Sequence, residues 1–440
     1  MKYVKTIALA TAALGLAACG GDDNNSNDKG EAFVRVLHAS ADAPNVDVLI
    51  DGEAALTNVS FQQGSGYISL PEGSTEVDIR VSGTETIALS AELDLLEDGY
   101  YSVIAINDVA DLALKVIDDT ATFTDGDADV RVVHAATAAA EVDIFVTAPD
   151  AELSAPTLDA VPFDASAVLE GVAAGDYQVQ IAVDATDDLV YDSGSLAVSS
   201  DITAVAVNST KGKSPVSLIV WTASGVIPVL DNSTELRIVH AVDDIDIDVD
   251  VFAGGELLID GFSYKDVEGY LTLEPGTVSV AIAAAGSGIG SALENLSGDL
   301  TLERGESYTV IAAGDDGAVT DASLIVLTDQ REASNSANAD VRLVHGSSAA
   351  AADPVDIYVY VNGTTQPSEA TAADVEFGQD TGYLSLAPNG YTIDIAADGT
   401  TSPAISGLTN VALAAGDVKT AIAIGDGSGL EPLLLDDSRD

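Results

Sequence analysis

Apolar and polar residues alternate along most of this chain with the period of a β-strand, and one such stretch returns four times. FVRVLH, Phe33 to His38, sets Val34, Val36 and His38 on one side of an extended strand and Phe33, Arg35 and Leu37 on the other. The same split recurs in VRVVH ending at His134, LRIVH ending at His240 and VRLVH ending at His345. These are all four histidines of the 440 residues, and they stand 96, 106 and 105 positions apart. Each interval is the size of a small domain and too long for a solenoid repeat or a propeller blade.

The first copy continues through NVDVLIDG (45–52), SGYISLPEG (65–73), TEVDIRVSG (75–83), TIALSAELDLLEDG (86–99), YYSVIAIND (100–108) and LALKVIDD (112–119). These are short β-rich runs cut by Gly, Pro, Asp and Asn, roughly seven or eight strands per hundred residues. Helical periodicity is confined to the first eighteen residues. The pattern predicts an all-β chain of four tandem antiparallel β-sandwich domains with immunoglobulin-like proportions.

Copies three and four keep the order of runs; copy two is the most diverged and lacks the Gly-Tyr strand. Each copy closes alike, at Ile117-Asp118-Asp119, Leu230-Asp231-Asn232, Leu327-Thr328-Asp329 and Leu435-Asp436-Asp437. The repeats therefore run 32–119, 128–232, 234–329 and 339–440. The linkers between them are short, so neighbours are expected to touch and to form a semi-rigid rod or arc.

Residues 1–18 carry Lys2 and Lys5 and then an apolar run too short to span a bilayer, the pattern of a secretory signal. The run ends in Leu16-Ala17-Ala18-Cys19-Gly20, which resembles the lipobox of bacterial lipoproteins. That resemblance implies a lipid-modified Cys19 as the first mature residue and a membrane partner reached through its acyl chains. Residues 19–31 then form a polar tether. Gly20 stands where an aspartate would retain a lipoprotein at the inner membrane, so the outer membrane is the expected location, with the leaflet left open. Cys19 is the only cysteine, so the folded repeats rest on apolar cores without disulfides.

Composition narrows the partners. Without Lys2 and Lys5 the 16 basic residues become 14 against 72 acidic ones, a formal charge of −58. Phosphates would be repelled, which excludes nucleic acid. With 47% hydrophobic residues the chain is nevertheless no disordered acidic tail.

VRVLHASADAPNVDVLIDG, followed by a Gly-Tyr strand and a P-x-G turn, resembles the bacterial domain of unknown function 4397. His38, Asp42, Ala43 and Pro44 match the opening of that family; copies two and three lack the Asp-Ala-Pro, and copy four keeps Asp353-Pro354. The resemblance spans nearly all the mature chain. It implies a secreted, β-rich, often tandem and surface-anchored module and brings no assigned activity.

The residues that recur are the candidates for chemistry. His38, His134, His240 and His345 share a face with aliphatics, and the expected role is structural, with one ring nitrogen bonded to the following loop; a metal or general-base role has no second histidine or cysteine at ligand spacing. Arg35, Arg131, Arg237 and Arg342 lie on the opposite face, and Asp129, Glu235 and Asp340 flank three of them as expected ion-pair partners. Tyr67, Tyr270 and Tyr383 share a face with Ser69, Thr272 and Ser385; cross-strand packing is the commoner role for such rings, and contact with a sugar or peptide is the alternative. Asp246, Asp248 and Asp250 belong to an acidic run best read as a solvated face, with calcium as the competing reading.

No nucleophile elbow, phosphate loop or histidine–nucleophile pair is present. The sequence thus points to a non-enzymatic envelope lipoprotein without an obligatory cofactor, its repeats serving as a surface spacer or interaction module. The alternatives are a lipoprotein that captures a glycan, peptide or small molecule, and a calcium-dependent adhesion module. An extracellular or periplasmic protein or glycan is the expected partner.

Overall fold

The computed structural model describes residues 30–120, 128–186, 188–242, 248–314, 322–348, 353–425 and 430–439, without the side chains of 404–408. Cys19 and the lipobox lie outside these residues, as does Asp246. Among the described residues no helix is long and apolar enough to cross a membrane.

Repeat 1 consists of β1 (Glu31–His38), β2 (Val46–Ile50), β3 (Glu53–Val59), β4 (Ile68–Pro71), β5 (Gly73–Val81), β6 (Ile87–Leu95), β7 (Tyr100–Ile106) and β8 (Ala113–Asp118). Two four-stranded sheets, ordered β4-β1-β7-β8 and β3-β2-β5-β6, pack face to face. Val34 and Val36 enter the core between them together with Val48, Val77, Ile79 and Val103. The sandwich is antiparallel except at one place: β1 and β7 run parallel, with Arg35 opposite Ser102. A parallel neighbour needs a long crossover, and β2 to β6, which supply the second sheet and the β4 edge, are that crossover.

Repeats 3 and 4 reproduce the arrangement, including the parallel pair that sets Arg237 opposite Thr309 and Arg342 opposite Thr420. Repeat 2 comprises β9 (Ala128–Ala135), β10 (Glu141–Thr147), β11 (Leu158–Pro162), β12 (Ser166–Val172), β13 (Gly175–Val183), β14 (Asp188–Val198), β15 (Ile202–Asn208), β16 (Val216–Thr222) and β17 (Gly225–Val229). Its first sheet gains a fifth strand, in the order β12-β9-β15-β16-β17, and its second is β11-β10-β13-β14.

The repeats do not string out as a rod. The outer face of the β1 sheet is apolar as well, and it packs on the matching face of repeat 2. Leu37, Ala39, Ile104, Ile106 and Ile117 meet Val133, Val205, Val207, Ile219 and Trp221 in one buried cluster. Repeats 3 and 4 join in the same way, through Val239, Ile311, Ile325 and Leu327 on one side and Val344, Ile422, Ile424 and Leu435 on the other. The signature strand is therefore buried on both faces, the usual cause of a near-continuous apolar run. Each pair stacks four sheets.

The pairs are then tied together. Arg304 donates to the carbonyls of Ser193 and Leu230 at 2.6 and 2.7 Å, joining repeat 3 to repeat 2. At the same junction Gly212 and Gly305 both have φ of +66°, and a Cβ on Gly212 would stand 2.8 Å from the Gly305 carbonyl oxygen. Only glycine satisfies both demands. Arg439 donates to the Gly212 and Lys211 carbonyls at 2.9 Å each, which brings the segment after the last strand of repeat 4 against repeat 2.

Candidate functional site: the repeat junctions

The recurring arginines sit inside these junctions. Arg237 leaves the signature strand of repeat 3, donates to Thr309 Oγ1 on the neighbouring strand at 2.9 Å and crosses to repeat 4, where it meets the Asp436 carbonyl at 2.8 Å and the Asp437 carboxylate. Arg342 of repeat 4 makes the reciprocal set, to Thr420 Oγ1 at 3.1 Å and, across the junction, to the Thr328 carbonyl at 2.9 Å and the Asp329 carboxylate. The partners expected from the flanking residues are thus replaced by the closing aspartates of the opposite repeat. Glu235 instead binds Ser307 and Arg331, Asp340 binds Gln330 and the Ser334 amide, and Asp129 binds the Gly171 amide.

The tyrosines complete each station. Tyr270 donates to Asp329 and Tyr383 to Asp437, both at 2.8 Å, while Tyr67 donates to Asp119 at 3.0 Å. Arg237, Arg342 and Arg35 lie over these rings at 4.7, 4.6 and 4.8 Å, and Arg331 covers Tyr270 again at 3.8 Å. All three tyrosines are half-buried, with the hydroxyl and a ring face engaged within the chain. Burial and the adjacent carboxylates push their pKa values up. Burial works to lower the pKa of Arg237 and Arg342, but the carboxylates and tyrosines around them outweigh it and hold both above the ordinary arginine value.

The junction of repeats 1 and 2 is a lopsided version. Asp119 takes Arg131 of repeat 2 at 3.3 Å and Arg35 of its own repeat at 3.5 Å. Repeat 2 has Asn232 where the others close on aspartate, and the contacts Arg35 makes across the junction differ accordingly. Arg35 donates to Thr203 Oγ1 at 2.8 Å and the Thr222 carbonyl at 3.3 Å, and lies over the Trp221 ring at 4.1 Å. Its pKa is lowered, first by burial, against the partial compensation of Tyr67 and Asp119.

The histidines fasten the loop after the signature strand. The Ser40 and Ala136 amides point at Nδ1 of His38 and His134 at 3.4 Å, which leaves the proton on Nε2 for the Pro44 carbonyl at 3.2 Å and the Ala139 carbonyl at 2.7 Å. His240 Nδ1 accepts from the Val242 amide at 3.3 Å, and its Nε2 meets no hydrogen-bond partner among the described residues. His345 Nε2 lies 3.7 Å from Asp353. Burial lowers the pKa of His38 and His134 against those carbonyls and takes His240 down to about 4, against the opposing pull of Asp266 and Asp248.

The recurrence of one acid escaped sequence reading, and Asp250, expected on a solvated acidic face, is a buried member of that set. Asp47, Asp143, Asp250 and Asp356 open the second strand of their copies in the phrase V-D-[V/I] and are buried. Asp250 accepts from the Gly261 and Gly286 amides at 3.1 and 2.8 Å, and Asp356 from the Asp374 and Gly399 amides at 3.2 and 3.1 Å. Each carboxylate clamps a bulged strand to a hairpin, and the repeated phrase was the available signal. Asp248, exposed, accepts from Ser263 at 2.6 Å, so it and Asp250 serve separate partners. Among the described residues the carboxylates that do converge are Asp143, Asp159 and Asp184 in repeat 2 and Asp356, Asp374 and Asp398 in repeat 4, each set placing oxygens within 4.8 Å of one another. These sets could hold a hard cation.

A cleft of about 900 Å³ between repeats 2, 3 and 4 gathers Lys213, Arg237, Arg331 and Arg439. In so acidic a chain this is a concentration of cations, and three of the four are committed to acids and carbonyls of the chain itself: Arg237 as above, Arg331 to Glu235 at 3.2 Å and the Ser438 carbonyl at 3.0 Å, and Arg439 to Glu332.

No curated protein matches the chain. Among solved structures it is similar to the Bacillus anthracis TIE protein, at 12% identity over 93% of this chain and 66% of that one, with a TM-score of 0.16. It is also similar to the Bacteroides ovatus mixed-linkage glucan utilization locus SGBP-B in complex with a mixed-linkage heptasaccharide, at 14% identity over 87% of this chain and 91% of that one, with a TM-score of 0.12. The chain spans just under two thirds of the length of the TIE protein, and at these TM-scores neither likeness carries an argument. The pattern of the family described as "Domain of unknown function (DUF4397)" matches residues 32–145, 234–358 and 348–440. These matches cover most of the chain in several segments, as tandem copies would, and the chain belongs to that family.

Proposed function

We propose that the protein is a non-enzymatic lipoprotein of the bacterial envelope, held at the outer membrane through Cys19, whose four sandwiches form a rigid interaction platform. The observation that carries this reading is the fate of the polar residues that recur in the copies. Arg237, Arg342, Tyr270, Tyr383, Asp329 and Asp437 are spent on one another across a repeat junction. Buried, mutually satisfied groups of this kind fix one arrangement of domains and leave little for a reacting substrate. A platform of locked pairs presents its outer surface in a fixed geometry, whereas a flexible spacer would not require Arg237 to meet Asp437, 200 residues away in sequence.

Acyl labelling in cells tests the anchor, and Cys19→Ala should abolish both labelling and precursor processing; normal labelling of the variant would overturn it. Small-angle scattering of the same variant tests the platform: compact, paired repeats are expected, and an extended string of beads would refute it.

A further inference from the structure

Repeat 2 is the copy that departs most from its neighbours, and residues 146–233 fall between the family matches. Its core is also incompletely filled. Between its two sheets lies a cavity of about 150 Å³ whose walls include Val130, Val132, Ile144, Leu169, Ala204 and Leu218. Every lining side chain is Val, Leu, Ile or Ala except Tyr177, whose hydroxyl donates to the Ala173 carbonyl at 2.8 Å.

The origin of the cavity can be read from the register of the parallel pair. In repeat 1 Val34 faces Tyr101 and Val36 faces Val103; in repeat 3 Leu236 faces Tyr308 and Ile238 faces Val310. The two tyrosines close the end of the sandwich, and their hydroxyls accept the Leu96 and Glu303 amides at 3.1 Å. In repeat 2 the same places hold Ile202, opposite Val130, and Ala204, opposite Val132. A ring and a branched side chain have been withdrawn from one spot. Repeat 4 has Lys419 and Ala421 at these places, and the larger Leu343 opposite Ala421 fills the space that Val132 and Ala204 leave in repeat 2. The cavity in the core of repeat 1 measures only about 10 Å³.

An apolar space without polar partners stays dry, and one of this volume accommodates a hydrocarbon group of about six carbons. It also lacks a charged wall, which excludes an ionic head group. The space reaches the surface between the edge strands of the two sheets, where Ala197 of β14 is exposed and Ile227 of β17 is 58% exposed. We propose that repeat 2 is a binding domain for an alkyl chain, which inserts its terminal carbons between the sheets and leaves past Ala197 and Ile227 with its head group in solvent. This site is independent of the platform reading, because it lies within one sandwich and touches no junction arginine.

The test uses the full-length Cys19→Ala chain kept free of detergent, with Trp221 fluorescence reporting the melting of the first pair. Hexane and dodecyl maltoside below its micelle concentration are the probes, and maltose is the head-group control. Both probes should raise Tm by several degrees and maltose should not. The double variant Ile202→Tyr with Ala204→Val, which restores the pattern of repeats 1 and 3, should melt higher without ligand and lose the response. Ala204→Val alone, a milder filling, should weaken it. No response in the parent chain, or an undiminished response in both filled variants, would overturn the proposal. A response to hexane but not to dodecyl maltoside would overturn the exit past Ile227 and with it the alkyl-chain assignment.

Discussion

Replacing Asp119 with asparagine removes the carboxylate that two guanidinium groups share at the junction of repeats 1 and 2. Asp119 is 1% exposed, and Arg35 and Arg131, at 2% and 7%, approach its two oxygens at 3.5 and 3.3 Å. Asparagine keeps the shape and can still accept from Ser102 and Tyr67, so the loss is mainly that of the charge. Breaking a buried pair by deleting one partner costs about 3–5 kcal/mol, because the remaining charge is left in a poor solvent. With a urea slope of about 2 kcal/mol/M, a loss near 4 kcal/mol moves the unfolding midpoint down by about 2 M. The assay needs no label, since the chain has a single tryptophan, Trp221, fully buried in this junction. Adding Arg131→Met to Asp119→Asn removes one stranded cation and should restore about 2 kcal/mol, a coupling visible in a double-mutant cycle. A midpoint within about 0.5 M of wild type for Asp119→Asn, or strictly additive losses in the double variant, would refute the reasoning.

Two further outcomes follow from the charges. The folded-state pKa of His240, about 4, lies below its ordinary 6.5, so the unfolded chain takes up the proton first; the stabilisation is complete above pH 6.5 and lost as pH falls toward 4, about 3 kcal/mol in all, and the stability of a His240→Gln variant should be correspondingly flatter over that window. Melting temperature should rise with sodium chloride, because folding crowds carboxylates whose repulsion salt screens. Calcium chloride at matched ionic strength should give the same rise, since Asp248 and Asp250 bind separate groups of the chain; an extra rise would place a cation at Asp143, Asp159 and Asp184 or at Asp356, Asp374 and Asp398.

The sandwiches were legible in the sequence because a strand with one wet face writes its period plainly, and the return of the Arg-His phrase marked the copies. What period-two alternation does not encode is the nature of the second face. Arg35 and Leu37 project from the β1 sheet as they would toward solvent, yet they meet another repeat, and a buried arginine and an exposed one occupy the same place in the pattern. Sequence proximity also favoured the wrong acids: Glu235 is two residues from Arg237, while its actual partner Asp437 is 200 away. The shared closing phrase was visible, and so was its exception at Asn232, but only the crossed geometry shows what that exception changes: Thr203, the Thr222 carbonyl and the Trp221 ring face Arg35 where the reciprocal junction supplies an aspartate. The common role of the V-D-[V/I] aspartates, Asp250 among them, was missed because an acid beside a strand usually signifies solvent, whereas these are paired with backbone amides.

The doubly covered signature sheet has a consequence for how such chains grow. A single copy released from its partner would present Leu37, Ile104, Ile106 and Ile117 to water as one sticky face. Two copies rather than one therefore make the self-sufficient unit: a duplication or deletion that leaves an odd number strands one face, whereas gain or loss of a whole pair leaves every signature face covered. During synthesis the first copy likewise stays incomplete until the second has emerged, so a chaperone that shields one face for the time needed to make about a hundred residues would serve this protein better than one that assists each domain separately.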